Sequence, residues 1–174
     1  MVAPDLQAGL VVAEASMENY AAAVVDAAEL VPRPLVLVGW SMGGLVAMMA
    51  AGRVDPAALV LLEPSPPAEV QGADETVVLR AGTFDPEDAY GPFPPGIAKR
   101  PESSLARAER KRGISVPALP DRTLVLYGDD FPEERGRAVA ARYGVEAQAV
   151  PGADHWQLVL GAEAAAAAAA FAAA

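Results

Sequence analysis

Leu35-Val36-Leu37-Val38-Gly39-Trp40-Ser41-Met42-Gly43-Gly44 is the stretch that decides how this chain folds. Leu35 to Val38 is an unbroken apolar run with two β-branched residues, which is what a parallel strand buried on both faces requires. Gly39 ends it, and Met42 to Arg53 continues as a nearly continuous apolar stretch rich in Ala and Met, predicting a buried helix that starts directly off the turn. A serine on a sharp turn between such a strand and such a helix has its hydroxyl pushed out at the carboxyl edge of the sheet, where open α/β sheets bind ligands. Gly39 and Gly43 flank Ser41 at positions where a Cβ is expected to clash in so tight a turn. The helix N-terminus behind the serine adds free backbone N–H groups and a positive dipole end, suited to a developing oxyanion.

Outward from this stretch the same pattern repeats. Ala58-Leu59-Val60-Leu61-Leu62 is a second continuous apolar run, stopped by Glu63-Pro64-Ser65-Pro66-Pro67, so strand, helix and strand complete one βαβ unit. A second unit follows, with a strand at Thr123 to Tyr127, a helix from Pro132 to Tyr143 closed by Gly144, and a shorter strand from Val145 to Val150. Ser16 stands in N-cap position before an Ala-rich helix ending ahead of Pro32. Residues 64 to 121 have frequent prolines and no consistent period, which predicts an irregular, lid-like excursion over the sheet, with a helix from Pro101 to Arg112 closed by Gly113. The Ala-rich end from Gly161 has high helix propensity and carries almost no side-chain information. The expected class is α/β, a mostly parallel sheet flanked by helices, in one domain spanning residues 1–174.

Composition excludes several classes of function. A formal net charge of −10 argues against a nucleic-acid partner, since phosphate binding needs a basic face. The one cationic cluster, Arg107-Ala108-Glu109-Arg110-Lys111-Arg112, is expected to be a solvated face near a helix end, where cations suit the helix dipole. The absence of cysteine removes disulfides, thiolate metal sites and cysteine nucleophiles, and a single histidine makes a poor zinc site, so no cofactor or metal is implied. No basic segment precedes an apolar one at the N-terminus and no apolar run approaches the roughly 20 residues that cross a bilayer, so no membrane partner is expected and a cytoplasmic location is.

The segment from Leu35 to Gly44 resembles the nucleophile elbow of α/β-hydrolases of the esterase, lipase and haloperoxidase-like type. Val2-Ala3-Pro4-Asp5-Leu6 is similar to the strand end that precedes the helix before the elbow in that family. Leu124 to Asp130 is similar to the strand whose following loop carries the catalytic acid, and Val150-Pro151-Gly152-Ala153-Asp154-His155-Trp156 to the loop that carries the catalytic histidine. The resemblance implies Ser41 as nucleophile and His155, the only histidine, as the proton shuttle. For the acid it implies Asp130 first, on a loop one residue shorter than in many relatives, whose acid position is occupied here by Phe131. Asp129 stands close behind, and Glu63 competes from the end of the strand after the elbow, where some lipases carry their acid. Asp154 is expected to be solvated.

The resemblance also sets the remainder of the expected site. The backbone N–H of Met42 is the first oxyanion donor. The second comes, in the family, from a loop often rich in His-Gly, a dipeptide this sequence lacks, so Asp5 to Gly9 are the nearest candidates by topology. Several strands precede the equivalent of Val2 in such folds, so a shortened sheet with an exposed edge is expected, covered in a homodimer or belonging to a compact minimal variant. Trp40 and Trp156, with Met48, Phe84 and Phe93, are candidates for an acyl pocket or for core. The implied activity is a serine hydrolase cleaving a small, fairly apolar ester or thioester through an acyl-enzyme. The alternatives are a non-catalytic member of the fold that binds a ligand or partner, and a cofactor-free, haloperoxidase-like perhydrolase sharing the same triad.

Overall fold

A computed structural model describes residues 2–174. Its strands are β1 Val36–Trp40, β2 Ala58–Leu62, β3 Thr83–Phe84, β4 Glu102–Ser103, β5 Thr123–Tyr127 and β6 Glu146–Ala149. Its helices are α1 Met17–Glu29, α2 Met42–Val54, α3 Ala68–Gln71, α4 Pro86–Tyr90, α5 Ser104–Arg112, α6 Ala138–Tyr143, α7 Gln157–Leu160 and α8 Ala162–Ala173. The central sheet has the order β1-β2-β5-β6 and every pairing in it is parallel, while β3 and β4 form a separate antiparallel pair.

The apolar runs become the middle of the sheet, and every residue of β2 and β5 is buried. Side chains alternate between two layers, as the pleat demands. Leu37, Leu59, Leu61 and Val125 pack with Leu45, Met48 and Ala51 of α2 and with Met17, Tyr20 and Ala21 of α1. Val60, Leu62, Leu124 and Leu126 face the other way, where Ala164 and the partly buried Phe171 of α8 cover them. Ser16 caps α1 in a capping box, accepting from the Asn19 N–H while the Asn19 side chain accepts from the Ser16 N–H.

Several expectations differ from the structure. Val2 to Leu6 forms no strand: it runs irregularly into a turn in which the Asp5 carbonyl accepts from Ala8 N–H and its carboxylate from Gln7 N–H. Among the described residues no strand lies beside it to pair with, β1 being the edge of the sheet, where Val38 is 56% exposed. The helix expected from Pro132 to Tyr143 divides into a π-helical turn over Pro132–Arg137 followed by α6. Gly136 in that turn lies so close to Tyr127 that a Cβ would meet its ring at 2.5 Å, so the wide turn is seated on the aromatic face. The excursion at 64–121 contains the β3–β4 pair and three short helices, and α5 begins at Ser104, with Ser103 as N-cap, rather than at Pro101.

Candidate active site

All the candidate residues stand at the carboxyl ends of the parallel strands. Ser41 follows the last residue of β1, Glu63 the last of β2 and Gly128 the last of β5, while His155 lies beyond β6. Backbone hydrogen bonds tie these ends together: Ser41 N–H donates to Leu62 O at 3.1 Å, Glu63 N–H to Leu126 O at 2.9 Å and Asp129 N–H to Ala153 O at 2.8 Å.

Ser41 has φ 53 and ψ −123, a conformation that L-residues rarely adopt, and Glu63 also has a positive φ, of 40. Such residues cost about 1–3 kcal/mol each and persist where the surroundings over-determine them. At the elbow those surroundings are close-packed backbone. A Cβ on Gly39 would meet Gly43 O at 2.5 Å, and one on Gly44 would meet Pro64 Cβ at 2.7 Å. The expected clash at Gly43 does not exist, since a Cβ there has open space around it; Gly44, not Gly43, is the second glycine the turn requires. Met42 and Gly43 open α2, so their N–H groups have no intrahelical acceptor, and both residues line the cavity in front of Ser41.

His155 Nδ1 lies 2.6 Å from Glu63 Oε2, and Glu63 is completely buried. The other carboxylate oxygen of Glu63 accepts from Gly128 N–H at 2.8 Å. Burial pushes the Glu63 carboxyl up, but the hydrogen bonds from His155 and from Gly128 outweigh it and hold the carboxyl below the ordinary glutamate range. The expected pairing of Asp130 with the imidazole is not seen. Its carboxylate instead accepts from the backbone N–H of His155 at 2.8 Å, and that of Asp129 from Gly152 N–H at 3.0 Å. Both aspartates lie in the turn directly after β5 and fasten the histidine loop by its backbone, whereas Glu63 reaches the ring from the neighbouring strand end. Asp154 is exposed and accepts from Gln157 N–H at 2.7 Å, at the start of α7. Trp40 stacks on the imidazole with centroids 4.7 Å apart and donates from its indole N–H to His155 O at 2.8 Å; Phe131 meets the imidazole edge-on at 5.4 Å. Ser41 Oγ makes no hydrogen bond to the ring among the described residues, although both face one cavity. Catalytic hydrogen bonds are often long in ligand-free sites and tighten when substrate is bound.

The cavity has a volume of about 770 Å³, and the segment 64–121 supplies half of its lining residues. Trp40, Phe93 and Trp156 form an aromatic chain along it, with centroids 4.8 Å apart for Trp40 and Trp156 and 4.9 Å for Phe93 and Trp156. Of the other candidate pocket residues, Met48 is core, and Phe84 packs under Arg107 rather than lining the cavity. Of Asp5 to Gly9, Leu6 alone reaches the lining.

Arg107 and Arg110, expected on a solvated face, are half-buried and line the cavity instead, joined by Arg135 from the π-helical turn, while Lys111 borders the cavity and is exposed as expected. The available signal was the i, i+3 spacing of Arg107 and Arg110, which places both on one face of α5. Arg135 carried no comparable signal. Among the described residues no set of side chains suited to a metal ion occurs, and no helix is long and apolar enough to cross a membrane.

Comparison with known proteins agrees with this architecture. No curated protein matches the sequence. Among solved structures, the pyrethroid hydrolase PytH superposes with a TM-score of 0.62 at 17% identity, covering 98% of this chain and 83% of that one. Est1E from Butyrivibrio proteoclasticus, solved with ferulic acid, gives 0.54 at 22% identity over 91% of this chain and 67% of that one. The N-acyl homoserine lactonase AidH, solved with N-butanoyl homoserine, gives 0.57 at 22% identity over 90% and 69%. A profile of the alpha/beta hydrolase family matches residues 2–173, so that with its parallel sheet and strained serine turn the chain belongs to the alpha/beta hydrolase family.

Proposed function

We propose that the protein is a serine hydrolase that cleaves an ester or thioester through an acyl-enzyme. The observation that carries this reading is the buried Glu63 carboxylate on Nδ1 of the imidazole that shares a cavity with Ser41. A carboxylate at Nδ1 keeps the proton there and leaves Nε2 free to act as a base. Ser41 Oγ attacks the substrate carbonyl carbon while His155 takes its proton, giving a tetrahedral oxyanion facing the N–H of Met42 at the start of α2. The C–O or C–S bond then breaks, the alcohol or thiol leaves with the proton from His155, and a water activated by the same ring hydrolyses the Ser41 ester.

A second oxyanion donor is supplied by the N–H of Leu6. This residue faces the cavity, and its N–H is not taken up in the turn that engages those of Gln7, Ala8 and Leu10. Removing one such donor typically costs about 100- to 1000-fold in kcat, so Leu6 bears directly on how fast the chemistry runs. The aromatic chain of Trp40, Phe93 and Trp156 suits a short apolar acyl or alcohol group, and the segment 64–121 acts as the lid over it. Turnover of p-nitrophenyl butyrate by the wild type, reduced about 1000-fold or more in Ser41→Ala, is the expected result; equal turnover by the two proteins would overturn the reading.

A further inference from the structure

The cavity wall opposes the charge of the whole molecule. In a chain of net charge −10, Arg107, Arg110, Lys111 and Arg135 line the cavity against two lining carboxylates, Glu102 and Asp130. Arg53, Lys99, Arg100, Arg112 and Arg137 form ion pairs elsewhere, whereas none of the cavity cations does among the described residues. Arg110 is pinned instead by neutral partners, donating to Ser65 Oγ at 2.9 Å and to Tyr90 OH at 2.8 Å. Ser65 is 2% exposed, and its backbone N–H donates at 2.8 Å to the carbonyl of Ser41. The guanidinium of Arg110 is thereby held by a residue that is itself bonded to the backbone of the nucleophile. Arg107 holds its guanidinium over the Phe84 ring at 4.8 Å and the Tyr90 ring at 5.5 Å, and its buried Nε has no hydrogen-bond partner among the described residues.

Holding these groups together without an anion is unfavourable. Burial, and after it the charge of Arg110, holds Arg135 below the ordinary arginine range. Burial likewise pushes the Glu102 carboxyl up in spite of Arg110, Arg107 and Arg100 nearby. A concave, partly desolvated wall of one sign focuses field on the space in front of it and draws in the opposite charge.

We infer that the substrate carries an oxyanion, the chemistry shared by carboxylates and phosphate esters, joined by a short chain to the scissile carbonyl and bound by Arg110 and Arg135. This rests on the serine-hydrolase reading and narrows its substrate class to an ester or thioester with an apolar part against the tryptophans and an anionic end against the arginines. The guanidinium forks suit either oxyanion, and charge-assisted bonds of this kind separate anionic from neutral analogues by about 10- to 100-fold.

The test compares kcat/KM for monomethyl glutarate with that for methyl 5-methylhexanoate, in which an isopropyl group replaces the carboxylate. A ratio of about tenfold or more in favour of the anion is expected, falling with added salt and collapsing toward one in Arg110→Met and Arg135→Met. Circular dichroism verifies that each variant folds, and Arg135→Lys, which keeps charge and loses the fork, is expected to fall between. A second measurement is independent of turnover: quenching of Trp40 and Trp156 fluorescence in Ser41→Ala on titration with monomethyl glutarate, and separately with inorganic phosphate. Saturable quenching by either anion, weakened in the arginine variants, supports the inference and identifies the oxyanion. Ester turnover with a ratio near one and no quenching by either anion overturns it while leaving the serine hydrolase standing. Quenching without turnover of any ester overturns the hydrolase and leaves the anion site.

Discussion

His155 Nδ1 sits 2.6 Å from Oε2 of Glu63, a carboxylate wholly out of solvent at the end of β2, whose second oxygen is held by the N–H of Gly128. Gly128 is placed for this by close packing, since a Cβ there would lie 2.0 Å from Ala153 O. The proposed catalytic line therefore joins the ends of β1 and β2 to the loop after β6, with the end of β5 holding the carboxylate. Replacing Glu63 by Gln keeps the shape and removes the charge that fixes the imidazole tautomer, so kcat/KM for a short ester is expected to fall by about 1000- to 10000-fold. Asp130→Asn weakens one hydrogen bond to the backbone N–H of His155, and its loss is expected to stay within about tenfold. Equal losses in the two variants would contradict the division of roles.

The same pair makes stability depend on pH. The folded Glu63 carboxyl lies below its ordinary value of 4.5, because hydrogen bonds to its ionised form outweigh burial. A depressed carboxylate contributes stability that is complete above the ordinary glutamate range and is lost as pH falls through the lowered folded value. The gap in urea midpoint between wild type and Glu63→Gln is therefore expected to be widest near about pH 6 and to narrow below about pH 4. A constant gap would count against an ionised Glu63.

The elbow glycines are expected to differ. Gly39→Ala and Gly44→Ala force a Cβ to within 2.5 Å of Gly43 O and 2.7 Å of Pro64 Cβ respectively, and should each lose roughly 2 kcal/mol or more. Gly43→Ala meets open space and should melt within about 0.5 kcal/mol of the wild type. Thermal melts of the three variants decide this, and a Gly43→Ala loss as large as the other two would show the turn to be packed differently.

How much of this could be read from the residues depended on the kind of signal. Ala58 to Leu62 and Thr123 to Tyr127 are continuous apolar runs that leave little choice but strands buried on both faces, whereas Leu35 to Val38 gave the strand but not the exposure of Val38 at the sheet edge, and Ser41 is located by the strand before it and the helix after it. The partner of His155 was less legible. Three carboxylates stand at strand ends, and which one reaches a ring nitrogen is settled by backbone direction, the positive φ of Glu63 among other features, which no local pattern reveals. The inward turn of Arg107 and Arg110 was masked by composition, since a charged cluster at a helix end ordinarily faces solvent.

Among the described residues the outer edge of β1 has no neighbouring strand, and Val38 is exposed beside it. Unpaired edges of this kind invite pairing, and a second copy of the chain is proposed to cover it. Light scattering is expected to give twice the 17.9 kDa of the chain, and a Val38→Lys variant should shift the mass toward the monomer. A wild-type monomer would contradict this.

The central claim, that Ser41 is an activated nucleophile, is tested most directly by labelling the folded protein with a fluorophosphonate and mapping the adduct by peptide mass. One adduct on Ser41 is predicted, abolished in Ser41→Ala and slowed about 100-fold or more in Glu63→Gln. No adduct on Ser41 of the folded wild type, or one that forms equally fast after denaturation, would contradict it.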